Sequence, residues 1–154
     1  MKTLFFSVII PTYNRAGFIS KTIDSFLQQT YSNFEIIVVD DGSTDNTRAV
    51  VEAIRDSRIK YYWKNNAERG AARNFGAARA KGDYLNFFDS DDIAYPIHLE
   101  IAAEAINKLN NPDTFHLGME IKNKNGKVER RIKNIGIKGF KSLLSQCYIT
   151  PNAV

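Results

Sequence analysis

The sequence predicts an α/β fold: a mostly parallel central sheet flanked by helices, with a β-hairpin toward the C-terminus. Through about residue 90, short apolar β-rich runs alternate with helical stripes. The connections between them are short, and strand–helix–strand order with short links implies right-handed crossovers and parallel strands. Two later β-rich runs flank Asn125-Gly126, a strong hairpin-turn signal.

Leu4–Ile10 (LFFSVII) is nearly all apolar, as expected of a strand buried on both faces. Gly17–Gln29 follows as a helix, with Phe18, Ile19, Thr22, Ile23, Phe26 and Leu27 on one stripe. Phe34–Val39 (FEIIVV) is a second buried strand. After the turn at Asp41-Gly42-Ser43, Ser43 or Thr44 can cap a helix running to about Asp56, with Ala49, Val50, Ala53 and Ile54 inward. Ile59–Trp63 (IKYYW) is a third strand, and Glu68–Ala80 an Ala-rich helix ended by Lys81-Gly82. Ala71, Ala72, Gly76, Ala77 and Ala78 would let that helix approach the sheet closely, and Tyr84–Phe88 (YLNFF) is a fourth strand. Pro96–Leu109 reads as a helix, Thr114–Ile121 and Val128–Ile132 as the hairpin strands, and Lys138–Gln146 as a short helix. Tyr148–Val154 looks like the start of another strand, which suggests a single domain over residues 1–154 belonging to a longer polypeptide.

Composition narrows the class. The chain has 154 residues, 44% hydrophobic and 25% charged, which suits one globular domain. No apolar run approaches the ~20 residues a bilayer crossing needs, and Leu4–Ile10 leads into Pro11-Thr12-Tyr13-Asn14 without a cleavage pattern. With Cys147 as the only cysteine, no internal disulfide can form, which fits a reducing, cytoplasmic compartment. Cys147 reads as a small hydrophobe, and His98 and His116 have no ligand spacing. The charge is uneven. Residues 1–118 carry 13 Lys and Arg against 15 Asp and Glu, whereas residues 119–154 carry 8 against 2. The excess, mainly Lys122, Lys124, Lys127, Arg130, Arg131 and Lys133, suits a solvated hairpin face. The less favoured reading is an anionic acceptor, a lipid head group or peripheral contact with the inner face of a membrane. Nothing calls for a nucleic-acid partner, and an incomplete sheet leaves an edge able to pair with another copy.

Chemistry-bearing residues gather at strand ends, where open α/β sheets bind ligands. The first strand delivers Pro11, Thr12, Tyr13, Asn14 and Arg15; the second Asp40, Asp41 and Gly42; the fourth Asp89, Ser90, Asp91 and Asp92. Three carboxylates within four residues repel one another unless a cation neutralises them. Mg²⁺ or Mn²⁺ binds through one or two carboxylates plus substrate phosphate oxygens, so Asp89, Asp91 and Asp92 are candidate ligands, with helix capping the alternative role for one or two of them. Asp40 or Asp41 could accept from a base N–H or a ribose hydroxyl, or simply form a turn. Tyr13 could stack on a nucleobase. Arg69 and Arg73, four residues apart, share a helix face that could meet phosphates near the helix start, while Arg79 better fits an exposed basic face.

In order, Ser7–Arg15 (SVIIPTYNR), Val38–Asp45 (VVDDGSTD), Ala72–Gly76 (ARNFG), Gly82-Asp83-Tyr84 and Phe88–Asp92 (FDSDD) resemble the signature of family-2 glycosyltransferases of the GT-A fold, over roughly residues 5–110. The resemblance implies a hexosyltransferase-like enzyme that moves a sugar, with inversion and divalent-metal help, from a nucleoside-diphosphate sugar, commonly a UDP-sugar, to a saccharide or lipid-linked acceptor. It implies that Pro11 to Tyr13 surround the base, that Asp41 binds it, that Arg69 approaches the nucleotide, and that Asp89 and Asp91, with Asp92 beside them, bind ribose and metal, Asp91 foremost. The family's general base lies well downstream of the Asp-x-Asp. Past residue 113 this chain offers only Glu120 and Glu129, so the base is expected beyond Val154. Surface-polysaccharide synthesis is the process such an enzyme would serve. A Rossmann dinucleotide site would need G-x-G-x-x-G after the first strand, which is absent. The alternatives that remain are a non-catalytic nucleotide-sugar-binding module and a nucleotidyltransferase, the latter disfavoured by the lack of a Gly-rich loop after the first strand.

Overall fold

A computed structural model describes residues 3–113, 117–123 and 125–132. The elements are β1 (Phe6–Thr12), α1 (Ile19–Leu27), β2 (Phe34–Asp40), α2 (Thr47–Glu52), β3 (Ile59–Trp63), α3 (Glu68–Ala77), β4 (Tyr84–Phe87), α4 (His98–Lys108), β5 (Met119–Lys122) and β6 (Val128–Ile132). The chain divides into two compact units, one through Ile101 and one from Ala102 onward.

In the first unit, β1 to β4 form a fully parallel sheet in the order β3-β2-β1-β4. Every residue of β1 and β2 is buried, which is why their sequences lack polar alternation. Ile9, Ile37 and Val39 point to one face and form a core with Ala72 of α3, flanked by Tyr62 and Phe75. The alternating residues Val8, Ile10, Ile36 and Val38, also fully buried, point to the other face. Burying each such side chain stabilises the fold by roughly 1.5–3 kcal/mol. The small residues of α3 permit the close helix–sheet approach: a Cβ on Gly76 would lie 2.6 Å from Ile9 Cγ2 and 3.1 Å from Val39 Cγ2. Below the sheet's N-terminal end, buried Glu35 accepts from Ser7 Oγ (2.7 Å) and the Lys81 N–H (2.8 Å) and pairs with Lys60.

Several boundaries differ from expectation for physical reasons. β1 runs on through Pro11 and Thr12, although proline is poor in a central strand. The Ile9 carbonyl accepts from Phe88 on the β4 side and the Thr12 carbonyl from Asp41 on the β2 side. By alternation the ring nitrogen of Pro11 faces the β4 side, one step past the last β1–β4 pair, Ile9↔Phe87, where no donor is needed. The second helix is shorter and later than expected. α2 has six residues and buries Thr47 and Val51, while Ala49 and Ala53 are exposed. Ser43 and Thr44 do not cap it, because both are bonded to Asn14 in the neighbouring loop. α3 ends at Ala77, and two tighter bonds, Arg79 N–H to the Gly76 carbonyl (3.0 Å) and Ala80 N–H to the Ala77 carbonyl (3.2 Å), close the last turn. Arg79 is exposed, as expected, and its guanidinium lies over the Phe75 ring at 3.4 Å. His98 is half-buried, bonded to Asn86 (2.7 Å) and edge-on to Phe26 and Phe88, a packing role. Burial holds its imidazole below the ordinary histidine range.

In the second unit, the last turns of α4 end on Asn110 and Asn111, both in the left-handed region, with the Asn111 N–H bonded back to the Ile106 carbonyl (2.9 Å). β5 and β6 pair antiparallel, Met119 with Ile132 and Glu120 with Arg131, with a bulge between Ile121 and Lys122. Gly126 takes φ +79°, as the turn requires. Among the described residues the first hairpin strand begins at Met119 and runs one residue past the expected end, to Lys122, while residues 114–116 of the expected Thr114–Ile121 lie outside the described residues. The expected elements Lys138–Gln146 and Tyr148–Val154, with His116, Lys124, Lys133 and Cys147, lie outside the described residues. No helix among the described residues is long and apolar enough to cross a membrane.

Candidate functional site

Strand order in the sheet reverses between β1 and β4, because β2 and β3 extend to one side of β1 and β4 lies on the other. Ligands in open α/β sheets bind at the carboxyl ends of strands beside such a reversal. The sequence-selected residues of β1, β2 and β4 meet at this rim.

At the end of β1, Thr12 is buried, Tyr13 is 48% exposed and Asn14 takes φ +51°. Neither Thr12 Oγ1 nor Arg73 Nε, both buried atoms, has a hydrogen-bond partner among the described residues. A buried polar atom left unpaired costs roughly 1–3 kcal/mol, so a ligand or solvent is the natural complement of each.

At the end of β2, the two aspartates have separate tasks. Asp40 is fully buried and accepts from the Ser43 N–H (2.7 Å) and the Tyr61 hydroxyl (2.6 Å). Burial, reinforced by this bond to Asp40, pushes the Tyr61 hydroxyl well above the ordinary phenol range. Asp41 is nearly buried; its N–H bonds the Thr12 carbonyl (2.8 Å), tying the β2 end to β1. Its carboxylate pairs with Lys64 and accepts from the Ala67 N–H at the start of α3 (3.1 and 3.3 Å). Lys64 neutralises the carboxylate from one side, and Oδ2, held only by the longer bond, retains acceptor capacity. Gly42 takes φ +85°, and a Cβ there would meet the Asn66 nitrogen at 3.0 Å.

At the end of β4, the Asp89 carboxylate accepts from Arg73 (2.7 Å), with Arg69 at 3.9 Å. Asp91 faces Arg15 at 3.7 Å. Ser90 is buried, and its carbonyl and that of Asp92 both accept from the Thr22 hydroxyl (3.0 and 2.9 Å), which anchors the turn on α1. Loss of solvation, then the charges of Asp89 and Asp91, hold the Asp92 carboxyl above the usual range. Among the described residues no three carboxylate, imidazole or thiol groups form a ready metal nest. The carboxylates instead face arginines or each other. The residual repulsion at Asp92 and the exposure of Asp91 nevertheless make a hard oxygen donor set compatible with a divalent cation.

Arg69 and Arg73 of α3 thus meet Asp89 just past β4, while Asp41, just past β2, is bonded to Thr12 of β1 and to the start of α3. Glu120 lies on β5 and is engaged by Arg131 (2.8 Å), and Glu129 lies on β6. A cavity of 370 Å³ lined by Val51, Glu52, Ile54, Arg55, Ile59 and Tyr61 lies on the α2–β3 flank. Sequence reasoning gave no part to Lys64, Tyr61 or Thr47, and it did not foresee that the side chains of Asn14, Ser43, Asp45 and Thr47 bind the two loops together. The parallel register was the available signal, since Asp40↔Trp63 pairing sets Lys64 beside Asp41.

Known proteins resemble this chain across most of its length. The pattern described as "Glycosyl transferase family 2" matches residues 7–152. An uncharacterized glycosyltransferase of Rickettsia bellii is 44% identical over 82% of this chain and 19% of its own length. The UDP-Glc:alpha-D-GlcNAc-diphosphoundecaprenol beta-1,3-glucosyltransferase WfgD of Escherichia coli is 37% identical over 94% of this chain and 62% of its own. The S. aureus TarS 1-349 complex with UDP-GlcNAc superposes with a TM-score of 0.66 at 35% identity, covering 80% of this chain and 36% of the TarS 1-349 chain. The mannosyltransferase PcManGT of Pyrobaculum calidifontis, in complex with GDP-Man and Mn²⁺, gives a TM-score of 0.64 at 26% identity over 80% of this chain and 37% of its own. The chain spans about a fifth of the length of the first rickettsial relatives it matches. With a GT-A-type parallel sheet, a polar rim at its point of strand reversal and this match, the chain belongs to glycosyl transferase family 2.

Proposed function

We propose that this chain forms the nucleotide-sugar-binding part of an inverting, metal-assisted glycosyltransferase. The observation that carries the reading is the convergence of Arg69 and Arg73 on Asp89, beside Asp91, at the β1–β4 reversal: cationic and anionic groups stand together where a diphosphate and a cation would. In this reading Tyr13, exposed beside the orphaned Thr12 hydroxyl, stacks on the base. Asp41 offers Oδ2 to a base N–H, its orientation fixed by Lys64 and the start of α3. Arg69 and Arg73 draw the diphosphate in, and the guanidinium fork suits its oxygens. Asp91, with Asp89 or Asp92, would hold Mn²⁺ or Mg²⁺, which when bound stabilises the charge that builds on the departing diphosphate. Water exclusion and proton removal from the acceptor belong to other residues, and we assign the general base to no residue of this chain.

The donor is proposed to be a UDP-sugar, in keeping with the UDP-sugar ligands or substrates of TarS and WfgD, although PcManGT was captured with GDP-Man. A saccharide or lipid-linked acceptor is supported by the WfgD acceptor, GlcNAc-diphosphoundecaprenol. The test is calorimetric titration of UDP and GDP with and without Mn²⁺. Mn²⁺ should strengthen nucleotide binding at least tenfold, and Asp91→Ala should remove that gain. Equal affinity with and without metal in the unmodified protein would overturn the metal assignment, and no binding of either nucleotide would overturn the donor-site reading.

A further inference from the structure

Three consecutive backbone N–H groups after β1 are accepted by side chains from the segment after β2. Asn14 donates to Ser43 Oγ (2.9 Å), Arg15 to Thr47 Oγ1 (2.9 Å) and Ala16 to Asp45 Oδ2 (3.1 Å). The bonding is reciprocal, because the Thr44 N–H returns to Asn14 Oδ1 (2.8 Å), and Asn14 holds a left-handed backbone to make this possible. Beyond it, the Arg15 carbonyl accepts from Phe18 and Ile19 and opens α1 (2.9 and 3.0 Å). Arg15 is therefore pinned at both its N–H and its carbonyl. Its side chain leaves a fixed point, and Nε stands 3.7 Å from Asp91 Oδ2. Arg73 and Arg69 serve Asp89 in the same way, so the two outer members of the Asp-x-Asp each face arginine from a different element.

We propose that Arg15 is a built-in counter-ion for Asp91: it restrains this carboxylate while no divalent cation is bound, competes with the cation for it, and so sets the cation affinity of the site. The inference rests on the donor-site reading above, and it adds a positioning residue which that reading does not use. An exposed ion pair is ordinarily weak because two long side chains must be ordered to make it. Here the arginine backbone is already fixed by the loop-to-loop bonds, and the aspartate lies among like charges, so a cation beside it relieves repulsion that the turn otherwise carries.

The experiment titrates Mn²⁺ alone into the full chain, followed by electron paramagnetic resonance of free Mn²⁺, at low and at high salt. Arg15→Gln is expected to bind Mn²⁺ about three- to fivefold more tightly at low salt, the upper range of an exposed pair. The difference should shrink at about 1 M salt. Arg15→Lys, which keeps the charge, should stay near the unmodified protein. In an Asp91→Asn background, Arg15→Gln should make no difference. A residue that merely supported the fold would change the melting temperature without moving Mn²⁺ affinity. Mn²⁺ affinity of Arg15→Gln that is unchanged or weaker, in a protein that still binds UDP with Mn²⁺, would overturn the counter-ion role alone. Failure of the unmodified protein to bind UDP under any condition would instead remove the donor-site reading.

Discussion

Gly82→Ala should destabilise the first unit more than any other single methyl addition at its glycines. A Cβ at Gly82 would stand 2.5 Å from the Ser7 nitrogen, 2.8 Å from the Phe5 carbonyl oxygen and 2.8 Å from Ser7 Oγ. Two of these are backbone atoms of the chain entering and forming β1, so no side-chain rotation relieves the contact. The α3–β4 connection must move by about 0.5–1 Å, and overpacking of this kind costs roughly 1–3 kcal/mol. The same movement strains the bonds that Gly82 and Lys81 donate to Ser7 Oγ (2.8 and 3.2 Å) and the one Lys81 donates to buried Glu35 (2.8 Å). Each such bond is worth about 1 kcal/mol. Taken together, a loss of about 3 kcal/mol is expected, or roughly 6–12 °C in melting temperature for a chain of this size. Gly70→Ala supplies the opposite sign. Nothing lies within 4 Å of its Cβ position, so replacement inside α3 should stabilise by roughly 0.5–1 kcal/mol. Thermal melts by circular dichroism on both variants make the check. A Gly82→Ala protein melting within about 1 °C of the unmodified chain would refute the steric argument.

Asp41→Asn, which keeps the shape and the Ala67 contact, should weaken uridine binding about tenfold without metal if a base N–H donates to this carboxylate, measured by calorimetry; an unchanged affinity would leave Asp41 as a loop anchor only. Tyr61→Phe strips a donor from fully buried Asp40 and should cost roughly 1–3 kcal/mol in urea unfolding. Asp56 is held down from 3.8 to about 2 by the Arg58 side chain and then its N–H. Because the folded value lies below the unfolded one, this pair stabilises above about pH 4 and its contribution vanishes as pH falls toward 2. After allowance for solvent screening, Asp56→Asn should cost about 1 kcal/mol at pH 7 and nothing near pH 2, read from denaturant midpoints at both values.

How far the sequence could be read depended on the range of the interactions involved. β3 was legible to the residue, because IKYYW is β-rich and polar segments bound it on both sides. β1 was placed two residues early at both ends, and its C-terminal end was missed because a proline in a central strand is tolerated only where no ladder partner follows, which depends on where β4 stops. The stripe of α2 was misphased because Ser43 and Thr44 spend their polar atoms on Asn14, a residue 29 and 30 positions away. The same limit applies to the site. Pro11, Thr12, Tyr13, Asp41 and Asp89 lie at strand ends as expected, and Arg73 meets Asp89 from the helix face it shares with Arg69, whereas Lys64 and Arg15 acquire partners only through register and loop bonding. Ser90 shows how little a motif says about individual side chains: FDSDD gives no sign that it is buried while its carbonyl accepts from Thr22.

A strand without an amide hydrogen at the right place acts as a stop on a zipper. Pro11 has no hydrogen to donate toward β4, the β1–β4 seam has its last pair at Ile9↔Phe87, and beyond it the two strands part into separate loops, Tyr13–Arg15 on one side and Asp89–Asp91 on the other. Any other amino acid at this position would restore a donor and invite the seam to close by a further step. The room in which Arg15 and Asp91 face each other opens past this position, where an imino acid leaves the seam no further rung.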